Sequence, residues 1–354
     1  MYRYQDDKYE FARYPATENR SLRAWSAADE HILQHFESLS LEQESPAIFN
    51  DRFGFLTSHL STVSPSTTIN YASQKKAILK NLETNQVSIE NLKFVEPFEV
   101  SSKKINIAVL KIPKSMDLFR LQLIQIVKSL DKGGTVLCGF MTKYFTPQML
   151  SIASKFFENV EQSKAWKKSR VMTLTGLKPH NEQNIVNSIS FEEEIFQQYF
   201  GVFSAKDIDQ ASQFLIKNWK IKTGTKRILD LASGNGFLGK MIRLKNAACE
   251  IHLLDDDWLA VESSKLNFDQ NDKNTFFHFG DSLEDFDENF FDLIVCNPPF
   301  HFEHETNIEV AIKLFGQAKR CLNQNGSFQL VANQHLNYKT HLIKLFTKVE
   351  LIKR

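Results

Sequence analysis

The sequence predicts an α/β fold built twice, an open parallel sheet followed by a second copy of the same plan. Three observations predict it. The chain has 354 residues, room for two domains at about 100 to 200 residues each. In the second half, short apolar runs alternate with helical stretches, the signature of parallel strands joined by crossover helices. Three short patterns of the first half then recur in the same order in the second, at offsets of about 180, 185 and 192 residues.

Taken in chain order, the first of these patterns is Asn50-Asp-Arg-Phe-Gly-Phe-Leu56, which parallels Asp230 to Leu238 with its closing Gly236-Phe-Leu. Ala108-Val-Leu-Lys-Ile-Pro-Lys114 parallels Leu293-Ile-Val-Cys-Asn-Pro-Pro299, and Leu130-Asp-Lys-Gly-Gly-Thr135 parallels Leu322-Asn-Gln-Asn-Gly-Ser327. The copies differ where chemistry would sit. The early loop has one glycine where the later has three, and Ile112 stands where the later copy has Asn297. The first copy is therefore expected to be catalytically dead. Gly176 to Gly201 is polar and poor in regular pattern, which reads as a linker and an extended lead-in. The expected division is residues 1–178, a linker and lead-in at 179–200, and a second domain at 201–354.

In the second domain the strands are expected at Arg227–Leu231, Glu250–Asp255, Thr275–Phe279, Phe291–Cys296 and Ser327–Ala332. Helices are expected at Leu238–Leu244, Trp258–Asn267 and Glu309–Cys321. Ligands of such sheets sit beyond the carboxyl ends of the strands, so the chemistry should lie in the loops that follow them.

Composition narrows the function classes. Apolar residues make up 42% and charged residues 24%, ordinary globular values that give no support to a collagen-like, disordered or membrane protein. The net charge of +1 conceals a division. Met1 to His180 carries 24 basic and 18 acidic residues, net +6, whereas Asn181 to Arg354 carries 19 and 24, net −5. Ser61 to His180 alone is net +10, with 18 basic and 8 acidic residues, an asymmetry suited to a polyanion. Cys138, Cys249, Cys296 and Cys321 form no C-x-x-C pair, so neither a zinc site nor a disulfide framework is expected and a reducing, cytoplasmic compartment fits. The N-terminus lacks the apolar core of a signal peptide, and no run of about 18 apolar residues occurs. No metal and no membrane contact are expected.

Two motifs carry chemistry. The first is Asp230-Leu-Ala232-Ser233-Gly234-Asn235-Gly236, a strand running into a glycine-rich turn that opens a helix. Such a turn lets backbone approach a ligand closely. Nineteen residues after Gly236 comes Asp255 at the end of the next strand, where a carboxylate can accept both hydroxyl protons of a ribose. The pair indicates an adenosine-containing cofactor. Gly234-x-Gly236-x-x-Gly239 also matches a dinucleotide fingerprint, so the loop alone leaves a nicotinamide dinucleotide and S-adenosylmethionine both open.

The second motif decides between them. Asn297-Pro298-Pro299-Phe300 follows an apolar strand, and amine methylation explains each residue type. An exocyclic amine is a poor nucleophile because its lone pair is delocalised into the base. The Asn297 side-chain oxygen and the Pro298 carbonyl can accept its two hydrogens and leave the lone pair aimed at a sulfonium methyl. The prolines stiffen the loop, and Phe300 can stack on a base turned out of its helix.

With these motifs on the page, the chain resembles the bacterial ribosomal RNA guanine-N2 methyltransferases, and within them the large-subunit branch that modifies 23S rRNA. The resemblance extends over Arg13-Tyr-Pro-Ala-Thr-Glu-Asn19, Ala24-Trp-Ser-Ala-Ala-Asp-Glu30, Ala165-Trp-Lys-Lys-Ser-Arg170, Gly201-Val-Phe-Ser204, Asn297-Pro-Pro-Phe-His301 and Val331-Ala-Asn-Gln-His-Leu-Asn-Tyr338. It implies two tandem Rossmann-like class I methyltransferase domains, the N-terminal one degenerate, and S-adenosylmethionine as cofactor. Carried over by position, Asp230 to Gly236 is the cofactor loop, Asp255 the ribose carboxylate, Asp281 the acidic residue on the adenine side, and Asn297 to Phe300 the target-amine site. Ala232 departs from the family's usual glycine. The chain ends at Arg354 where the family continues through one further strand, so an unpaired sheet edge is expected. Lys164, Trp166, Lys167, Lys168 and Arg170 interleave basic and aromatic residues as an RNA contact does. The protein is expected to act as a monomer on 23S rRNA. The rival readings are a non-catalytic RNA-binding assembly factor, an oxidoreductase that leaves Asn297 to Phe300 unexplained, and a methyltransferase of adenine N6 or a glutamine amide.

Overall fold

The computed structural model describes all residues except 1, 4–8, 18, 20–21, 40–43, 100–103, 180–183, 299–300, 303–304, 307 and 353–354. The chain divides into two compact units, Met1–Asn184 and Ile185–Arg354.

In the first unit, α1 (Ala27–Ser38) precedes β1 (Ala47–Phe49), and α2 (Phe55–His59), β2 (Ser66–Thr68), α3 (Ala72–Thr84), β3 (Lys93–Val95) and β4 (Ile105–Lys111) follow. Then come α4 (Met116–Ser129), β5 (Leu130–Met141), α5 (Pro147–Phe156), β6 (Phe157–Gln162) and β7 (Ser169–Leu177). The seven strands lie in the order β3-β2-β1-β4-β5-β7-β6, parallel from β3 to β5 and antiparallel at β7 and β6. Ile107, Ala108, Val109 and Leu110 of β4 are all fully buried. Such a continuous apolar run is what a parallel strand covered on both faces requires. The Ser115 hydroxyl accepts from the Leu118 N–H and caps α4, and Pro147 opens α5, where its missing N–H costs nothing.

The second unit opens with a hairpin, β8 (Val186–Phe191) and β9 (Glu194–Tyr199), where the sequence suggested only an extended lead-in. Its signal is weak because the turn carries Glu192 at φ 53° in place of a glycine or asparagine. α6 (Gln210–Asn218), β10 (Arg227–Leu231), α7 (Phe237–Lys245), β11 (Glu250–Asp255), α8 (Trp258–Leu266), β12 (Thr275–Phe279), β13 (Phe291–Cys296), α9 (Glu309–Cys321), β14 (Leu322–Leu330) and α10 (Lys339–Leu345) complete it. The sheet order is β12-β11-β10-β13-β14, all parallel. β14 begins at Leu322, earlier than the expected Ser327, because Leu322 already pairs with Phe291 before a register shift. Among the described strands β14 has β13 as its one ladder partner.

The two sheets repeat each other in detail. Both have the order third-second-first-fourth-fifth, and the register shift between β13 and β14 recurs between β4 and β5, from Ile105–Leu130 to Ile107–Thr135. The loop after the first strand repeats too. Asn50 (φ 61°) and Ala232 (φ 59°) follow the strands directly, and four residues on Gly54 (φ 84°) and Gly236 (φ 78°) open α2 and α7.

This equivalence corrects one sequence reading. β1 pairs Phe49 with Leu110, and β10 pairs Leu231 with Cys296. The next residues, Lys111 and Asn297, are therefore counterparts, and Ile112 instead matches Pro298. The motif comparison had aligned the prolines one position out of the strand register.

Candidate active site

The carboxyl ends of β10, β11, β12 and β13 converge on one set of loops, and every residue expected at the cofactor lies there. Asp230 is fully buried in β10. Its Oδ2 accepts the Gly239 N–H at 2.8 Å and so fastens the first turn of α7 to the strand. Its Oδ1 is buried with no hydrogen-bond partner among the described residues, and so is Ser233 Oγ. Asp255 sits at the end of β11, with Oδ2 accepting the Gly234 N–H at 2.8 Å and Oδ1 accepting the Asp257 N–H at 2.9 Å. Asp257 in turn caps α8 by accepting the Leu259 N–H at 2.9 Å. Asp281 lies in the loop after β12, whose Gly280 N–H donates to the Asp255 carbonyl at 3.0 Å.

Burial sets the electrostatics. Loss of water pushes the Asp230 carboxyl up to about 8, with the neighbouring Asp255 charge adding and the Gly239 N–H opposing. Burial likewise raises Asp255 to about 6 and Asp257 to about 8, with the Asp256 charge adding to both and the Asp255 charge adding to the shift of Asp257. Three acidic groups crowded without a cation form a site that favours a positively charged ligand.

The loop backbone leaves room for one. Gly236 must be glycine: its φ is 78°, and a Cβ would lie 2.8 Å from that of Ser264. A Cβ on Gly234 would meet nothing within 4 Å, so the turn is open at that position. Ala232 takes a left-handed conformation, φ 59°, at a cost of roughly 1–2 kcal/mol for a residue with a side chain. S-adenosylmethionine fits the chemistry of these residues: an acidic cluster would hold its cationic end, and Asp255 would hold its ribose.

The counterpart loop of the first unit is filled. Arg52 stands at the Gly234 position, buried, with its guanidinium donating to Ser73 Oγ at 2.7 Å and lying 4.9 Å over the Tyr71 ring. Ile69 follows β2 where Asp255 ends β11, and Lys111 replaces Asn297. The carboxylate that fastens the helix has moved as well. Asp51, in the loop, accepts the Thr57 N–H at 2.7 Å.

At the end of β13, Asn297 is held by groups that sequence reasoning missed. Its Nδ2 donates to Asp209 Oδ2 at 2.9 Å and lies 3.0 Å from Ser212 Oγ. Asp209 caps α6, accepting the N–H groups of Ala211 and Ser212. An aspartate directly ahead of an amphipathic helix was the available signal, but its partner lies 88 positions away. Pro298 is buried beside Asn297, whereas Pro299 and Phe300 lie outside the described residues. Gln198 was also missed. It is fully buried, accepts from Asn235 Nδ2 at 2.8 Å, and donates to the carbonyls of Val202 and Phe203. Asn267 braces the same loop, its Nδ2 reaching the carbonyls of Asn235, Gln197 and Ser263 while its Oδ1 accepts the Gln197 N–H.

The five basic and aromatic residues proposed for RNA lie together on the hairpin from β6 to β7 of the first unit. Trp166 and Ser169 exchange backbone hydrogen bonds around Lys167 (φ 45°) and Lys168 (φ 61°). Lys164, Lys167 and Lys168 are exposed, and Trp166 and Arg170 half-buried. Lys167 also has a structural partner, Glu30 Oε2 at 3.1 Å, and lies 4.3 Å over the Trp166 ring. Among the described residues no cluster of three or more His, Cys, Asp or Glu side chains could hold a metal, and no helix is long and apolar enough to cross a membrane.

Comparison with known proteins identifies the fold and the family. A solved 16S rRNA N2 G1207 methyltransferase of T. thermophilus, RsmC, in complex with AdoMet and guanosine, superposes with a TM-score of 0.74 over 94% of this chain and 90% of its own, at 19% identity. Two proteins named ribosomal RNA large subunit methyltransferase G are similar along nearly the whole length. That of Shewanella woodyi is 31% identical over 95% of this chain and 84% of its own, and that of Shewanella oneidensis 30% over 95% and 92%. Residues 1–178 match the RLMG N-terminal domain and residues 193–354 the methyltransferase small domain. The chain belongs to the ribosomal RNA large subunit methyltransferase G family.

Proposed function

We propose that this protein transfers a methyl group from S-adenosylmethionine to the exocyclic N2 amine of a guanine in 23S rRNA. The observation that carries the reading is the pairing of an acidic, open-turned cofactor site on β10 and β11 with an asparagine at the end of β13 whose amide nitrogen is already engaged. Family membership and the names of the relatives select rRNA and guanine among the amines such a site could take.

When bound, the cofactor supplies an electrophilic methyl on a sulfonium. The residues of this chain do the rest. Asp255 holds the ribose hydroxyls, and the loop from Ala232 through Ser233, Gly234 and Asn235 to Gly236 places its backbone against the cofactor. Asp230 Oδ1 offers its unused lone pairs to the cationic end, and Asp281 serves the adenine side. Asn297 Oδ1 and the Pro298 carbonyl accept the two N2 hydrogens, turning the lone pair toward the methyl carbon. Held there, the cofactor would supply the methyl group and leave as the neutral thioether, and the N2 proton that the transfer displaces would pass to solvent. Pro299 and Phe300 complete the target-amine loop, with Phe300 as the base-stacking face.

The first unit, at 1–178, supplies phosphate contacts through Lys164, Trp166, Lys167, Lys168 and Arg170. The second compact unit, Ile185–Arg354 with its opening hairpin, serves as the catalytic domain. A cytoplasmic monomer completes the reading. The test incubates the protein with labelled S-adenosylmethionine and unmodified 23S rRNA and identifies methylated nucleosides by mass spectrometry. N2-methylguanosine is expected in the wild type and absent in Asn297→Ala, whose melting temperature should be unchanged. Label found only in another nucleoside would overturn the substrate assignment.

A further inference from the structure

We propose that Asp209 is a positioning residue for methyl transfer: with Ser212 it takes both amide hydrogens of Asn297 and thereby points the Asn297 oxygen at the target amine. The proposal rests on the methyl-transfer reading and adds a group that touches neither cofactor nor base.

The amide has two orientations, and only one is useful. An asparagine offers one acceptor oxygen and two N–H donors, and a target amine whose lone pair must stay free needs the acceptor. Which way the group faces is settled by its neighbours. Asp209 Oδ2 already accepts the backbone N–H groups of Ala211 at 3.0 Å and Ser212 at 3.1 Å. Such an oxygen can face only a donor, so Nδ2 turns to it at 2.9 Å. Ser212 Oγ, 3.0 Å away, takes the second hydrogen. No donor among the described residues reaches Oδ1. A charge-assisted bond to Nδ2 also draws electrons toward Oδ1 and makes it a stronger acceptor.

The first unit shows the same device with the useful end removed. Lys111, the counterpart of Asn297 by strand register, donates to Asp29 Oδ2 at 3.1 Å. Asp29 stands in the first turn of α1, and Asp209 caps α6; each helix precedes the first strand of its sheet. In both units an acid at the start of that helix grips the residue at the carboxyl end of the fourth strand, Lys111 in one and Asn297 in the other. Lysine has no acceptor to turn outward, and asparagine does.

Asp209→Ser tests the proposal because serine caps a helix about as well as aspartate does yet its side chain is one atom shorter and no longer reaches the Asn297 amide. The expected result is a fall in kcat of roughly 10- to 100-fold, as for a misplaced reacting group, with the cofactor KM and melting temperature near wild type. The Asn297 side-chain amide signals in an NMR spectrum, identified by their loss in Asn297→Ala, should be protected from solvent exchange in the wild type and unprotected in Asp209→Ser. Ser212→Ala, which leaves the cap intact, should show a smaller fall of the same kind. Unchanged kcat, retained amide protection, or a kcat loss matched by a rise in cofactor KM and a lower melting temperature would each overturn it. Failure of the wild type to make N2-methylguanosine sinks the substrate reading instead, and the exchange measurement still decides whether Asp209 holds Asn297.

Discussion

Asp230 pushed up to about 8 is a group that folding alone would not favour. A carboxyl raised from its ordinary 3.8 contributes stability that is fully present below about pH 4 and is lost as pH rises through about 8. Asp230→Asn removes that burden and keeps an oxygen for the Gly239 N–H. At pH 7.5 it should raise the melting temperature by several degrees, about 2–4 °C for each kcal/mol regained, while weakening cofactor binding at least tenfold; calorimetry reads both. The same shifts set a pH dependence. As pH falls from 8 to 6, Asp230 and then Asp255 take up protons and lose their attraction for a cation. Cofactor affinity should therefore fall over that range, with proton release on binding at neutral pH, detected by titration in buffers of different ionisation heat. Asp230, Asp255 and Asn297 were legible in the sequence because a strand-turn-helix motif announces them locally. Asp209, Gln198 and Asn267 were not, because each acts through a contact that exists only after distant segments have packed.

At the scale of elements, the strands of the second sheet were readable because buried parallel strands are short unbroken apolar runs. The hairpin β8–β9 was not, since alternate residues face solvent and its turn lacks the usual glycine. Its anchoring is by side chains. Asn267 pairs with both backbone groups of Gln197, and Ser263 Oγ accepts the Tyr199 N–H at 2.9 Å. Asn267→Ala would leave several buried backbone groups unpaired, at about 1–3 kcal/mol for each group not reached by water. A loss of about 2–4 kcal/mol in urea unfolding is expected on that basis, together with weaker cofactor binding, because Asn235 in the loop loses its brace. Unchanged affinity at reduced stability would mean the hairpin serves folding alone.

Across the whole molecule, the division of charge, +6 against −5, suits the basic first unit to the polyanion and the acidic second to the cationic cofactor proposed for them. Lys164 and Lys168 are exposed at the β6–β7 hairpin, and the left-handed Lys167–Lys168 turn spends conformational energy to display them. The double variant Lys164→Ala, Lys168→Ala should weaken RNA binding and lower the slope of log affinity against log salt by about one unit per lysine. Cofactor binding should be untouched, and an unchanged slope would remove the hairpin from the RNA surface. Duplication was legible from three short matches, but their alignment by motif missed that Lys111 is the partner of Asn297, which only the strand register reveals.

The filled loop of the first unit has a consequence for descent. Arg52 stands where the second unit has Gly234, Ile69 where it has Asp255 and Lys111 where it has Asn297, each at the end of a different strand. Reverting any one of them leaves the other two obstacles in place, so no single substitution offers selection an intermediate to favour. On the proposed reading, a first copy that differs at all three places has no one-step route to methyl transfer, and selection on its sequence acts through folding and RNA binding instead.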